Sequence, residues 1–271
     1  MSVIVLTGGS AGIGKAAATL LMQKGHTVYS LSRRGGSDEA DSASGGKVIN
    51  IKADVTKPDT LEAAVSEVMK GSGRIDALVC NAGNGIAGAV EDTSLEEVRY
   101  QFETNFFGMV NTVKACLPVM RAQKGGRIVA LSSVAAIVPI PFQAFYSASK
   151  SAVLMYIQAL GMELAPWGIE CGCVLPGDTK TDFTSSRKYT AESQSADSAY
   201  AAQMKVSVGK MEKDEQNGMS PDVIAKAIAS QIESRHVSPI LIPGFQYKFI
   251  CFLMKVVPAR LRLYIVRKIY S

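Results

Sequence analysis

Residues 3–14 read Val3-Ile4-Val5-Leu6-Thr7-Gly8-Gly9-Ser10-Ala11-Gly12-Ile13-Gly14, and the reading of this stretch decides the fold. An apolar run ends at the glycines, and Ala16, Ala17, Leu20 and Leu21 then recur at helical spacing. Strand, glycine turn and helix in succession give the glycines a physical task. A backbone without Cβ atoms can turn tightly and approach a pyrophosphate, which then lies on the free N–H groups at a helix N-terminus. Gly8, Ser10, Gly12, Ile13 and Gly14 are therefore candidate contacts to a dinucleotide. The spacing, Gly8-xxx-Gly12-x-Gly14, departs from the GxGxxG of the general fingerprint.

Working outward, a second strand over Thr27–Leu31 ends at Ser32-Arg33-Arg34. An acidic residue at this place would hydrogen-bond the ribose 2′-hydroxyl of NAD. Ser32 stands there instead, eighteen positions after Gly14, and Arg33 follows. A planar cation suits a 2′-phosphate, so the sequence predicts NADP(H) in preference to NAD(H); the alternative is that Arg33 and Arg34 are solvated surface. Residues 35–46 are Gly/Ser/Asp-rich and read as an exposed loop. A third strand, Val48–Ile51, closes on Asp54-Val55. A helix over Asp59–Met69 sets Leu61, Ala64, Val65 and Val68 on one face, and the strand Ile75–Cys80 runs into Asn81-Ala82-Gly83. Three strand–helix units in succession imply right-handed crossovers. The prediction is an α/β chain with a single-domain, Rossmann-type doubly wound parallel sheet and helices on both faces, spanning residues 1–245.

A long helical stretch over residues 94–122 carries Asn105, and the strand Gly126–Ser132 delivers Ser133 at its carboxyl end. The next helix opens with Tyr146-Ser147-Ala148-Ser149-Lys150. Tyrosine and lysine at i and i+4 share a helix face, roughly 6 Å apart along the axis. A lysine cation nearby favours the phenolate and would draw the tyrosine pKa down from its ordinary value of ~10. Ser133 can supply a hydroxyl to a reacting oxygen in the same place. A sixth strand, Ile169–Leu175, ends at Pro176-Gly177-Asp178-Thr179-Lys180-Thr181. Residues 182–218 are polar, yet Tyr200, Met204, Val208 and Met211 fall at helical spacing, which suits a substrate lid. A helix over Asp222–Glu233 and a short strand over Pro239–Pro243 follow.

These motifs, in this order, resemble the short-chain dehydrogenase/reductase family: the TGxxxGxG form of the glycine loop, the NAG triplet, Ser133 with Tyr-Ser-x-x-Lys, and PGxxxT. The resemblance implies that Tyr146 is the general acid/base, that Lys150 lowers its pKa and contacts the nicotinamide ribose, and that Ser133 polarises the substrate oxygen. It implies that Asn105 holds a water linking Lys150 to solvent. Asp54 and Val55 would line the adenine pocket, and Asn81, Ala82 and Gly83 would hold the sheet centre beside the cofactor. Pro176, Gly177, Thr179 and Thr181 would hold the nicotinamide carboxamide. The reaction implied is hydride transfer between a nicotinamide and a carbonyl or secondary alcohol. Residues 132–146, with Val28-Tyr29-Ser30-Leu31-Ser32-Arg33, are similar to the 17β-hydroxysteroid and retinol dehydrogenase branch. Ile137, Val138, Ile140 and Phe142 are expected to form an apolar wall for a steroid-, retinoid- or keto-lipid-like substrate. The alternatives are a reductase of small ketones or keto-acyl thioesters, or a non-catalytic nucleotide sensor or scaffold. The family also leads one to expect a homodimer or homotetramer.

Totals bound the remaining possibilities. Five cysteines, an odd number with no CxxC pair, argue against a disulfide framework or a zinc site, and two histidines leave little for a metal centre. The N-terminus has no basic region before its apolar run, so no secretory signal is read and a cytoplasmic location is expected. The net charge of +5 is concentrated at one end. Residues 246–271 hold six basic side chains and no acidic one, leaving the body close to neutral, so no nucleic-acid partner is expected. In this extension Phe249, Phe252, Leu253, Val256 and Val257 follow helical spacing, with Lys248, Cys251 and Lys255 on another face. A basic amphipathic helix of this kind lies against the cytoplasmic face of a membrane, or packs on the body or on another subunit and covers the substrate cavity.

Overall fold

The structure, a computed structural model, describes residues 1–41, 43–195 and 197–270. Ile4, Val5 and Leu6 of strand β1 (Val3–Thr7) are wholly buried, as a strand covered on both faces requires. The glycine turn leads into α1 (Gly12–Gln23), and β2 (Thr27–Ser32) returns parallel to β1 with Val3 opposite Thr27. Residues 35–46 are not all loop. Glu39–Ala40 form a short strand, β3, antiparallel to β4 (Lys47–Lys52). Both β3 residues are exposed, so backbone pairing alone marks the strand, and no apolar pattern announces it.

Helix α2 (Pro58–Ser72) buries Leu61, Ala64, Val65 and Val68, the face its spacing predicts. Strand β5 (Ala77–Cys80) lies on the far side of β1 from β2, and a two-residue strand, β6 (Ile86–Ala87), follows. The expected single helix over 94–122 is broken in three. A capping box made by Ser94 and Glu97 starts α3 (Leu95–Phe102), a π-helical turn spans Glu103–Phe107, and α4 runs over Gly108–Gln123. Asn105 sits in the wide turn. Strand β7 (Gly126–Leu131) and helix α5 (Ala144–Leu164) carry the Ser133 and Tyr146 motifs. After β8 (Ile169–Val174) come α6 (Phe183–Ser186), β9 (Lys188–Tyr189), α7 (Ala201–Gln216), α8 (Pro221–Glu233) and β10 (Ile240–Leu241). Two further helices, α9 (Phe245–Val256) and α10 (Ala259–Ile269), complete the described chain.

The main sheet has the order β10-β8-β7-β5-β1-β2-β4-β3, parallel throughout except at β3. The chain builds outward from β1 in one direction, then crosses back and builds in the other. This reversal between β1 and β5 opens a crevice at the carboxyl ends of the strands, the place where such sheets bind ligands. Helices α2, α4 and α5 cover one face and α1 and α8 the other, each burying an apolar stripe against the sheet.

Strands β6 and β9 pair with each other outside the main sheet, so the segment after β8 is stitched to the segment after β5. Behind it Arg187, with a fully buried side chain, pairs with Glu215, and Met204, Val208 and Met211 of α7 pack together beneath Ile140 and Phe142. Within the segment 182–218, predicted as a substrate lid, β9 and α7 are thus held against the body. The C-terminal extension corrects the expected orientation. Tyr247, Cys251 and Met254 face the body, so Cys251 lies on the buried side, while Phe249, Phe252 and Val256 point outward.

Candidate active site

The glycine loop forms a cradle of atoms that no side chain can enter. A Cβ on Gly14 would sit 2.2 Å from the Gly8 carbonyl oxygen and 2.5 Å from Asn81 Nδ2. Gly8 has φ +72°, and a Cβ there would meet Ala82 Cα at 2.9 Å. Asn81 holds the loop closed by donating from Nδ2 to the carbonyls of Thr7 and Gly8, at 3.0 and 3.1 Å. Ala11, at the N-cap of α1, offers no capping side chain, and the first turn carries no acidic residue. The first N–H groups of a twelve-residue helix therefore open onto the crevice without partners, and a phosphate matches them in charge and hydrogen bonding. These residues fit a dinucleotide.

At the far end of the cradle Ser32, Arg33, Asp54 and Val55 line the same cavity. Arg34 reaches back to donate from Nη2 to Ser10 Oγ at 3.1 Å, so it too faces the loop. At the near end Ala82, Gly83, Pro176, Gly177, Thr179 and Thr181 line the wall, with Gly8, Ser10, Gly12, Ile13, Gly14 and Asn81 between the two ends. Gly177 has a second task that the sequence does not announce. A Cβ there would fall 2.2 Å from the Tyr247 ring, so the bare backbone admits the docking of α9. The Tyr247 hydroxyl accepts from the Asp178 N–H and donates to the Asp178 carboxylate, each at 3.0 Å.

Two hydrogen bonds fix the reacting groups. Ser132 Oγ donates to the Lys150 carbonyl oxygen at 2.8 Å, and Lys150 Nζ donates to the Leu131 carbonyl oxygen at 2.8 Å. They pin the first turns of α5 to the end of β7 and so set Ser133 opposite Tyr146. The Ser133 hydroxyl lies close enough to the Tyr146 phenol to stabilise its charged form, donates to the Pro176 carbonyl oxygen at 3.4 Å and accepts from the Ala135 N–H at 3.1 Å. Lys150 Nζ lies 5.9 Å from the centroid of the Tyr146 ring. A Cβ on Gly83 would crowd Asn105 Oδ1 at 3.2 Å and only touch Lys150 Nζ, at 3.5 Å.

Electrostatics in the unliganded site differ from the sequence expectation. Tyr146 is half-buried and walled in by protein, and the loss of solvation pushes its phenol up to about 12. The Ser133 hydroxyl pulls the other way, while Glu215 and Asp178 add to the rise. Burial also lowers Lys150 to about 8. Desolvation of both charged forms outweighs any depression of Tyr146 by Lys150.

Asn105 does not line the cavity. It is buried behind it, accepting from the Asn84 N–H at 2.8 Å and donating to the Asn84 carbonyl and to Ser149 Oγ, at 3.0 and 3.2 Å. Gln101, wholly buried, supports the same Asn84 with two hydrogen bonds of 2.9 Å. Neither Asn84 nor Gln101 stands out in sequence, because each is a single amide in a segment without a motif.

The substrate side also departs in part from expectation. Val138 and Ile140 line the cavity; Ile137 packs against the core and Phe142 under the lid. Phe142 has φ +62°, a left-handed backbone uncommon for a bulky residue, in the loop just before Tyr146. Beside it Gln143 is buried in the cavity wall, and its Nε2 has no hydrogen-bond partner. Phe183 of the lid packs 5.7 Å from the Tyr146 ring, and Ile250, Leu253, Met254, Ile265 and Ile269 of α9 and α10 close the cavity. The whole cavity measures about 1420 Å³, larger than the ~300–1,000 Å³ of an ordinary ligand site, so nucleotide and substrate fit together.

Residues 2–192 match the family model of short chain dehydrogenase. The chain belongs to this family. Among its relatives is the 3-ketodihydrosphingosine reductase of Bacteroides thetaiotaomicron, 40% identical over 234 residues, which cover 86% of this chain and 84% of the relative. Dehydrogenase/reductase SDR family member 7B of Mus musculus is 33% identical over 235 residues, covering 79% and 72% of the two chains. In three dimensions this short-chain dehydrogenase superposes on a short-chain dehydrogenase from Streptomyces avermitilis with a TM-score of 0.80 at 26% identity, over 99% of this chain and 96% of that one. The family places the protein among oxidoreductases that use a nicotinamide cofactor, and the cradle at the N-terminus of α1 fits one.

Proposed function

We propose that the protein reduces a long-chain ketone with NADPH, and that a keto-sphingoid base is the substrate its cavity fits best. One observation carries this reading: a single cavity joins the Ser133–Tyr146–Lys150 group to an apolar wall and to polar groups near the reacting centre. Val138, Ile140, Leu253 and Ile265 suit an alkyl chain. Asp178 lines the cavity close enough to Tyr146 to push its phenol up, and among the described residues it has no cationic partner as Glu215 has in Arg187, so a cationic amine beside the ketone gains its attraction. The Gln143 amide, whose buried Nε2 has no partner, donates a hydrogen bond to a substrate hydroxyl oxygen. The relative from Bacteroides thetaiotaomicron, named for reduction of such a ketone, supports the same class.

Bound nicotinamide supplies the hydride in this reaction. The chain's own residues handle the oxygen. Tyr146 gives its proton to the carbonyl oxygen and Ser133 donates a second hydrogen bond to it, which localises the developing charge. The Lys150 cation holds the negative charge left on the phenol. Asn105 keeps Asn84 and Ser149 in place behind Lys150 and so completes the proton path. Arg33 and Arg34, with Ser32 where an acid would select NAD, receive the 2′-phosphate.

The test is the initial rate of NADPH and NADH oxidation with a 2-amino-3-keto long-chain substrate, with its N-acetyl form and with a short ketone. The charged long-chain amine is expected to have the highest kcat/KM by at least about tenfold, the effect of one charge-assisted contact. Arg33→Ala with Arg34→Ala is expected to weaken NADPH by about 10- to 100-fold and leave NADH nearly unchanged. Equal rates with all three ketones would refute the substrate class, and an even loss for both nucleotides would refute the role of the arginines.

A further inference from the structure

The structure assigns a second surface to the chain: the outer face of α9 and α10 docks on an anionic lipid membrane, with the mouth of the cavity at the contact. Phe245, Phe249, Phe252 and Val256 follow i, i+4, i+7 and i+11, which places them on one stripe of α9. Each is more than half exposed. The opposite face of α9 is already satisfied, with Tyr247, Cys251 and Met254 buried against the body. The helix is therefore apolar on two sides, and only one of them meets protein. A phenylalanine alone at a surface is ordinary, but a stripe of three in one helix continued by exposed Leu261 and Tyr264 in α10 is a patch that calls for a partner.

Charge decides which partner. Six basic residues and no acidic one lie in 246–271, and Lys248, Lys255, Arg260 and Arg267 are exposed around the apolar stripe. Apolar and aromatic side chains flanked by cations alone match the interface of a bilayer with anionic headgroups. No helix among the described residues is long and apolar enough to cross a membrane, so this contact lies in the interface plane. The cavity gives the contact a purpose. Ile250, Ile265 and Ile269 line the cavity and are also exposed, so apolar side chains of the helix pair reach both the inside of the site and the outer surface. An alkyl chain leaving the lipid meets them on its way to the cavity.

Flotation of the full-length protein with vesicles tests this, and needs neither nucleotide nor substrate, so it stands or falls apart from the proposed reaction. Vesicles of phosphatidylcholine with phosphatidylglycerol are expected to carry the protein, and pure phosphatidylcholine to carry far less. Phe249→Glu with Phe252→Glu, at side chains outside the cavity, should cut the bound fraction at least tenfold while thermal unfolding stays unchanged. Salt at 1 M, where the Debye length is about 3 Å, should release most of the charge-dependent binding. Removing the helices altogether is a poorer test, because they form the cavity wall. Wild-type protein that stays off anionic vesicles, or a double variant that floats equally well, would overturn the proposal. So would a wild-type dimer that turns monomeric in the double variant without either floating, since the stripe would then be covered by a second copy.

Discussion

Tyr146→Phe is expected to lower kcat for ketone reduction by about 10²–10⁴, the range for loss of a positioned general acid, with the nucleotide Kd within about threefold of wild type. The phenyl ring keeps the packing against Phe183 and loses only the hydroxyl that meets Ser133. Equilibrium binding of NADPH and single-turnover rates separate the two effects. The same site predicts a pH profile. Burial lowers Lys150 to about 8, so its cation is present below that pH and is lost as pH rises through it. Tyr146, pushed up to about 12, keeps its proton across this range. The kcat/KM for the nucleotide, which reports the free protein, should therefore fall on the alkaline side near pH 8. A profile flat to pH 10 would remove Lys150 from the proton path.

Gly14→Ala is expected to weaken nucleotide binding on the order of 10²-fold, the effect of overpacking against atoms that have no room to yield. The new methyl would lie 2.2 Å from the Gly8 carbonyl oxygen, a backbone atom of the phosphate loop itself. Relief requires moving the loop, and the loop is held by Asn81. A control lies in the same chain. Gly209, inside α7, has nothing within 4 Å of the place a Cβ would occupy, so Gly209→Ala should be neutral or stabilise by up to ~1 kcal/mol. Isothermal titration with NADPH and thermal melting distinguish the two outcomes; equal nucleotide affinity for Gly14→Ala and wild type would contradict the cradle.

The parts of the fold legible in sequence were those with one physical cause. Ile4, Val5 and Leu6, buried on both faces, leave an unbroken apolar run, and the glycines that follow are demanded by close approach of Gly8, Gly14 and Asn81. What stayed hidden depends on contacts distant in sequence or on backbone pairing alone. Glu39–Ala40 pair through main-chain groups and show no pattern. The π turn around Asn105 shifts the helical count by a fraction of a turn, too little for apolar periodicity to register. In α9 both faces are apolar, so spacing identifies a helix without saying which side meets the body. Tyr247 is chosen by Asp178 and Gly177, about seventy residues upstream. In the site, Tyr146 and Lys150 are readable because helical spacing joins them, and Ser133 through the motif order that resembles the family, whereas Gln143 and Arg34 gain meaning only from what surrounds them.

Hydride transfer itself is tested by following deuterium from NADPH labelled at nicotinamide C4 to a 2-amino-3-keto long-chain substrate. Wild-type protein is expected to form a product alcohol one deuterium heavier at the former carbonyl carbon, and Tyr146→Phe to form almost none. Product without the label, or a labelled product formed equally fast by the variant, would contradict the assignment of Tyr146 as proton donor to a nicotinamide-dependent reduction.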